Sequence, residues 1–489
     1  MFIGRERELK FFEDRYKTAD GQLVMLYGRR RIGKTELLRQ FCEGKPHIFF
    51  TCRETTDSKQ LESYSARVLE AGSPAAGYIN VFKDWEAAFR GFSDLPGPHA
   101  KKLLIIDEFQ YMCKSNPSIP SILQFLWDDL LRKQNVMIVL CGSAMSFFEN
   151  SILSEKNPLY GRATGIYKLT ELPFDDSIKF FPDYSGEDKM LAYAVLGGIP
   201  HYLRQFDPGL SLRENIIENT LAKGCILYNE VEFLMRQELR EPALYNTLLE
   251  TIASGNTKLN DIYLKTQIDK SKLSVYIKNL IELQILQREF PVLSSIQEQT
   301  SSVRGLYRIT DNYFRFWYSF IFPNLSDLER GDTGGVFDYA VRPRLNVFAS
   351  SVFERVCLEL ISMMNRNGEL SFRVSKLGRW WGKLNIPVGE GPGKPKFTSV
   401  ASKIDIVAAD SLSKHYILGE CKFRNSEMGA ADLERLKGKA VFVNEGATVQ
   451  YALFSKSGFT SALVEQAKWD ESLSLFTLDD IVRFCISMQ

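Results

Sequence analysis

Short apolar runs alternate with stretches of helical periodicity over the first third of the chain. Residues 23–27, 47–51, 103–106, 136–141 and 165–170 are the runs. Leu23-Val24-Met25-Leu26-Tyr27 carries no polar residue, as expected of a parallel strand buried on both faces. Glu36-Leu37-Leu38-Arg39-Gln40-Phe41 after it reads as a helix. This alternation over residues 1–175 predicts a parallel sheet covered by helices. Residues 176–235 read as helical, broken at Leu196-Gly197-Gly198-Ile199-Pro200, and are expected to form a lid.

The texture changes over 236–325. A helix from Leu244 to Ala253, a turn at Ser254-Gly255-Asn256, a short helix near 259–264 and a longer one from Ser271 to Leu286 precede two candidate strands, 287–292 and 305–310. That order predicts a winged helix-turn-helix. Lys270, Lys272, Ser274 and Lys278 would share a face suited to phosphate contacts; the same module also suits a protein contact or a lid. The aromatic run Tyr313 to Phe322 is most simply a buried helix, with base stacking as the alternative. From about 326 to 489 the pattern restarts: a helix from Phe348 to Met363, then strands at 402–409, 416–423 and 451–455.

Candidate chemistry falls at the strand ends. Gly28-Arg29-Arg30-Arg31-Ile32-Gly33-Lys34-Thr35 has the spacing G-x-x-x-x-G-K-[ST] between a strand and a helix. Gly28 and Gly33 let backbone N–H groups close around phosphates, the helix N-terminus adds partial positive charge, Lys34 reaches the β- and γ-phosphates, and Thr35 offers its hydroxyl to Mg²⁺. Residues 28–35, with Glu36 following, are therefore the expected ATP/ADP-binding loop. The strand at 103–106 ends in Asp107-Glu108: Asp107 for Mg²⁺, Glu108 to orient or deprotonate water. Ser143, ending the run at 136–142, is a candidate γ-phosphate sensor.

A second constellation lies near the C-terminus. The helix carries Glu354, one strand carries Asp405, and the next carries Glu420 and Lys422. Side chains alternate along a strand, so Glu420 and Lys422 share a face, which Asp405 is expected to join. Carboxylates and a lysine on one face suit a Mg²⁺ or Mn²⁺ ion activating water for phosphodiester attack, with Lys422 stabilising the developing charge. The other reading is a structural aspartate beside an exposed ion pair. The basic segment 373–383 suits a DNA-facing loop, or Trp380 and Trp381 simply pack.

Composition changes little in this picture. The 489 residues allow several domains, and 45% hydrophobic with 25% charged residues is globular. A formal net charge of +1 leaves nucleic-acid binding to local patches. No apolar run reaches membrane-spanning length, so no membrane partner is expected. The eight scattered cysteines form no C-x-x-C pair, which argues against a zinc site and fits a reducing cytoplasm.

With these motifs in hand, the chain resembles the archaeal-type ATPase family, P-loop ATPases of the STAND/AAA-like group. Phe2-Ile3-Gly4-Arg5-Glu6-Arg7-Glu8-Leu9 is similar to its N-terminal box, which implies Phe2 and Arg5 near the adenine. Pro158-Leu159-Tyr160-Gly161-Arg162 is similar to its Gly-Arg element, which makes Arg162 a candidate γ-phosphate contact, in cis or from a neighbouring copy in a homo-oligomer. Gly198-Ile199-Pro200 matches its G-x-P element and implies Pro200 near the base. The C-terminal half resembles a domain often fused to such ATPases, itself similar to PD-(D/E)xK nucleases. Ala144 stands where a second Ser is common, and Lys403 where an acid is common. The resemblance implies an α/β multidomain chain: a P-loop NTPase parallel sheet, a helical lid, a winged helix-turn-helix and a restriction-endonuclease-like α/β domain. The leading expectation is an ATP-hydrolysing switch that controls a DNA-binding, nuclease-like domain. The alternative is a nucleotide-gated regulator or scaffold, bound to a protein partner, whose nuclease-like fold is silent. A helicase is disfavoured, because no helicase motif follows Asp107-Glu108.

Overall fold

The computed structural model describes residues 2–97, 101–300, 305–388, 396–444 and 446–487. The chain separates into two compact units: Met1–Leu172 with Ile199–His201, and Pro173–Gly198 with Tyr202–Gln489.

The first unit is built on strands β1 (Gln22–Tyr27), β2 (His47–Thr51), β3 (Lys102–Asp107), β4 (Val136–Gly142) and β5 (Gly165–Lys168). They pair in the order β2-β3-β4-β1-β5, every neighbour parallel. Every residue of β1 and β4 is buried, because helices cover both faces. Helices α1 (Glu6–Tyr16) and α2 (Lys34–Cys42) place Phe12, Leu37, Leu38 and Phe41 against Val24, Leu26, Ile105 and Val139. Helices α3 (Asp57–Glu70), α4 (Trp85–Ser93), α5 (Phe109–Ser115) and α6 (Ile119–Asp129) place Tyr64, Phe89, Phe109 and Leu126 against Leu23, Met25, Leu104 and Ile138. Consecutive residues of β1 thus enter opposite cores, as the pleat requires.

The second unit opens with helices that include Gly186–Leu196 and Ile226–Glu238. Helices α7 (Pro242–Ala253), α8 (Leu259–Thr266) and α9 (Lys270–Glu282) follow, then an antiparallel pair, β6 (Leu286–Glu289) and β7 (Leu306–Ile309). The aromatic run is helical and buried: α10 (Asn312–Phe316) and the turns after it bury Tyr313, Phe316, Trp317 and Phe320. That is the packing expected of a core helix, and it leaves these rings no exposed face for base stacking.

Helix α11 (Leu345–Asn367) then leads into a mixed sheet of β8 (Lys376–Val388), β9 (Lys396–Ala409), β10 (His415–Lys422), β11 (Thr448–Ser455) and β12 (Leu473–Thr477). The order is β12-β11-β10-β9-β8, with β8, β9 and β10 antiparallel and β10, β11 and β12 parallel. Helices α12 (Ala430–Gly438) and α13 (Ser461–Trp469) cover one face through Leu433, Leu436 and Leu463, against Val407, Leu418 and Leu453. Helix α11 packs on the other, where Phe353 lies 5.3 Å from Phe423. The basic segment 373–383 is not a free loop: most of it is β8, and Trp380 stacks on Phe442 at 4.8 Å.

Candidate functional site

At the C-terminal edge of the first sheet, the turn from β1 to α2 is set by two glycines used differently. A Cβ on Gly28 would sit 2.4 Å from the Leu169 carbonyl oxygen and 2.7 Å from Ile32 Cδ1, so only glycine fits there. Gly33 has the space, with Pro200 Cγ at 3.7 Å, but adopts φ +89°, a backbone conformation that disfavours any Cβ. The same distance places Pro200 against the loop. Lys34 is buried, and its ammonium donates to the carbonyls of Gly28 and Arg29, both at 2.8 Å. Burial lowers its pKa, while the charges of Glu108 and Asp107 partly restore it.

Thr35 and Asp107 meet across the intervening strand β4. Thr35 Oγ1 donates to Asp107 Oδ2 at 2.8 Å, and Asp107 Oδ1 accepts from the Glu108 amide at 3.0 Å. A hydroxyl and a carboxylate, both hard oxygen donors on rigid elements, are the groups that would hold Mg²⁺ here. Glu108 has φ +54°. That left-handed turn ends β3 abruptly and presents the carboxylate to Ser143, whose hydroxyl donates to Oε2 at 2.9 Å. The Gln110 amide donates to the same oxygen. Arg31 (φ 70°) and Arg5 (φ 73°) are also left-handed, so three of the six non-glycine residues with positive φ among those described surround this site.

The surroundings refine three expectations. Arg5 is a brace: it donates to the carbonyls of Ile32 at 3.1 Å and Thr170 at 2.7 Å, and pairs with Glu8 at 2.8 Å. It shapes the back of the loop from behind. Phe2 is partly buried against the core formed with α2, and Glu36 is exposed in the first turn of that helix. Arg29, Arg30, Arg31 and Ile32 complete the loop, with Ile32 buried beneath it.

Arg162 corrects the expectation of a γ-phosphate contact in cis. It lies just before β5, where Thr164 bonds the start of β1 at Leu23. Gly28, just past the end of β1, is five residues beyond Leu23, roughly 16 Å at strand rise. Arg162 therefore stands toward the N-terminal edge of the sheet. There its guanidinium grips Asp128, in the last turn of α6, at 2.7–3.1 Å, and donates to Pro158 O at 2.9 Å. A resemblance in short sequence carries no information about which sheet edge the residue occupies.

The C-terminal constellation divides in two. Glu354 on α11 and Asp405 on β9 do come together, and Lys403 bridges them, 3.5 Å from Glu354 and 3.2 Å from Asp405. Arg379 closes on Glu354 at 2.9 Å, and Asp405 accepts from the Cys421 amide at 3.1 Å. Burial, then the charge of Asp405, pushes the Glu354 carboxyl above its ordinary range. Glu420 does not join them. It pairs with Lys422 at 2.5 Å and with Lys439, just after α12, at 2.9 Å. The cause is in the register: Gly378 pairs with Val407 but Trp380 with Ile404, so β9 carries an extra residue. Ile404, Val407 and Ala409 accordingly enter one core, and Asp405 turns toward α11 while Glu420 stays on the α12 side. Among the described residues no group of three or more His, Cys, Asp or Glu side chains is placed to hold a metal ion. The expected set of Glu354, Asp405, Glu420 and Lys422 is thus not assembled as a metal site.

Sequence reasoning missed Gln110, Asp128, Lys403, Arg379 and Lys439 as partners. Lys403 alone left a signal, a cation beside the aspartate where the resemblance expected an acid.

Comparison with known proteins agrees with the N-terminal reading. Residues 2–206 match the model of an ATPase domain predominantly from Archaea. Residues 317–435 match a model of archaeal and bacterial proteins of unknown function. Over 426 residues the chain is 33% identical to a protein of Methanocaldococcus jannaschii, covering 87% of this chain and 88% of that one. The chain belongs to the archaeal-type ATPase family. An ATP-binding protein of the same organism is 47% identical to this ATPase over 45 residues. Among solved structures, the Walker-type ATPase of Pyrococcus abyssi aligns over 65% of this chain and 96% of its own, with 23% identity and a TM-score of 0.48. The ORC2 protein of Aeropyrum pernix aligns over 68% and 95%, with 14% identity and a TM-score of 0.41. Among the described residues no helix of this ATPase is long and apolar enough to cross a membrane.

Proposed function

We propose that the first unit binds ATP on the loop 28–35 and hydrolyses it, and that the nucleotide state is passed to the second unit as a switch. The observation that carries the reading is the 2.8 Å bond between Thr35 and Asp107, with Lys34 and Glu108 beside it. Thr35 and Asp107 would hold Mg²⁺, which supplies charge neutralisation on the phosphates. Lys34 places its ammonium on the β- and γ-phosphate oxygens. Glu108 orients the attacking water and takes its proton as the water oxygen bonds to the γ-phosphorus and the bond to ADP breaks. Gln110 and Ser143 fix the Glu108 carboxylate for that task. Pro200 supports the switch: Ile199–His201 belongs to the first unit although the chain on either side belongs to the second, and Pro200 lies on Gly33. A change in the loop therefore has a covalent route to both flanks.

The second unit is read as a binding and regulatory module with a silent nuclease-like fold, because its carboxylates are neutralised by Lys403, Arg379, Lys422 and Lys439 on two faces of the sheet. Helices α7 to α9 with β6 and β7 keep the order of a winged helix-turn-helix, and exposed Lys270, Lys272 and Lys278 would offer phosphate contacts to DNA. If Arg162 serves hydrolysis at all, it does so from a neighbouring copy, releasing Asp128. The test is ATP turnover and DNA cleavage with Mg²⁺ or Mn²⁺, measured together. Turnover that Lys34→Ala abolishes, with no cleavage by the native chain, supports the reading. Cleavage that Asp405→Ala removes would restore the nuclease.

A further inference from the structure

A cleft of about 320 Å³ in the second unit gathers three arginines from three elements: Arg308 on β7, Arg315 on α10 and Arg355 on α11. Gln287 and Ser351 add polar atoms, and Ile309 lines the apolar side.

The three are not equally neutralised. Arg308 pairs with Glu289 at 2.8 Å. Arg315 donates to Phe348 O at 2.8 Å and to the Ser351 hydroxyl, and its guanidinium lies 3.9 Å from the Phe348 ring centre. Its Nε is buried without a hydrogen-bond partner. Arg355 donates to Thr310 O at 3.2 Å and to the Asn312 side-chain oxygen. All these acceptors are neutral, and among the described residues neither Arg315 nor Arg355 has a carboxylate within ion-pair distance. Burial, reinforced by the charges of Arg355 and Arg308 and opposed by that of Glu354, pushes the Arg315 pKa down to about 9. Buried like charges of which only one is directly paired are costly, and bonds to neutral carbonyls fix a guanidinium plane without cancelling its charge. Guanidinium groups held in fixed planes around a small cavity are the usual recognition chemistry for a tetrahedral phosphate dianion. The volume admits a phosphate with a small organic body.

We propose that the cleft between β7, α10 and α11 is a binding site for a small phosphorylated ligand, held by Arg308, Arg315 and Arg355. It is separate from the nucleotide loop. Its ligand would sit on α11, one residue along the helix from the Glu354 that Lys403 bridges to Asp405, so occupancy can bias the C-terminal sheet.

The test uses the full chain carrying Lys34→Ala, which disables the nucleotide loop. Inorganic phosphate, ribose 5-phosphate and a single-stranded oligonucleotide are titrated separately by calorimetry. The expected result is saturable binding of phosphate or ribose 5-phosphate, weakened by about ten-fold or more in Arg315→Gln and in Arg355→Gln. Stronger binding of ribose 5-phosphate than of phosphate identifies a phosphomonoester; equal binding identifies the free anion. Ala253→Phe, which blocks the cleft rim and keeps every arginine, serves where an arginine variant fails to fold, and is expected to lose binding as well. Affinity unchanged in all these variants, no saturable binding of either small probe, or binding of the oligonucleotide alone would overturn the proposal.

Discussion

The two constellations read in the sequence fared differently. In the first unit, Lys34, Thr35, Asp107, Glu108 and Ser143 converge at one sheet edge. In the second, Glu354 and Asp405 separate from Glu420 and Lys422, and cations close each pair. The N-terminal set hangs on a contiguous loop and on the ends of adjacent parallel strands, where topology alone brings the groups together. The C-terminal set depends on side chains in mid-strand, where one extra residue reverses a face. A constellation at strand ends is therefore robust to local irregularity, and one within strands is not.

The largest expected effect that would break this contrast is on nucleotide binding. Lys34→Ala should weaken ATP affinity by about a hundred-fold or more in calorimetry, since it removes a buried charge-assisted contact; retained affinity would mean the loop is not the site. Glu108→Gln should keep binding and lower kcat by about 10²–10⁴-fold in a phosphate-release assay. Gln110→Ala sharpens the picture, because Gln110 only positions Glu108. Loss of one hydrogen bond should lower kcat by about ten-fold and leave KM unchanged. Arg162→Ala should leave ATP affinity unaffected and cost about 0.5–1 kcal/mol of stability in a denaturant melt, given its half-exposed pair with Asp128. A hundred-fold loss of affinity there would return Arg162 to the cis site. Smallest is Lys422→Ala, which should change neither turnover nor stability by more than about 0.5 kcal/mol, because Glu420 keeps Lys439 as a partner at 2.9 Å.

Much of the first unit was legible, because strands buried on both faces are continuous apolar runs and the loop glycines mark their turn. The run at 23–27 became β1, and that at 136–141 became β4, each within one residue. The helical order of 242–282 was also legible from periodicity and turns. The position of Arg162 was not, because a residue's sheet edge depends on which strand follows it and how that strand pairs. The fate of Asp405 was not, because the bulge that turns it follows from the pairing of β9 with β8 and leaves no mark in the composition of either. The arginine cleft was invisible for a third reason. Its three cations are spread over residues 308 to 355, and only the packing of β7, α10 and α11 draws them together.

The most direct test is steady-state ATP turnover of the native chain, Glu108→Gln and Lys422→Ala, measured side by side with Mg²⁺. Turnover that falls by about 10²-fold or more in Glu108→Gln and stays native in Lys422→Ala is the expected result. Equal rates in all three, or a loss confined to Lys422→Ala, would contradict it.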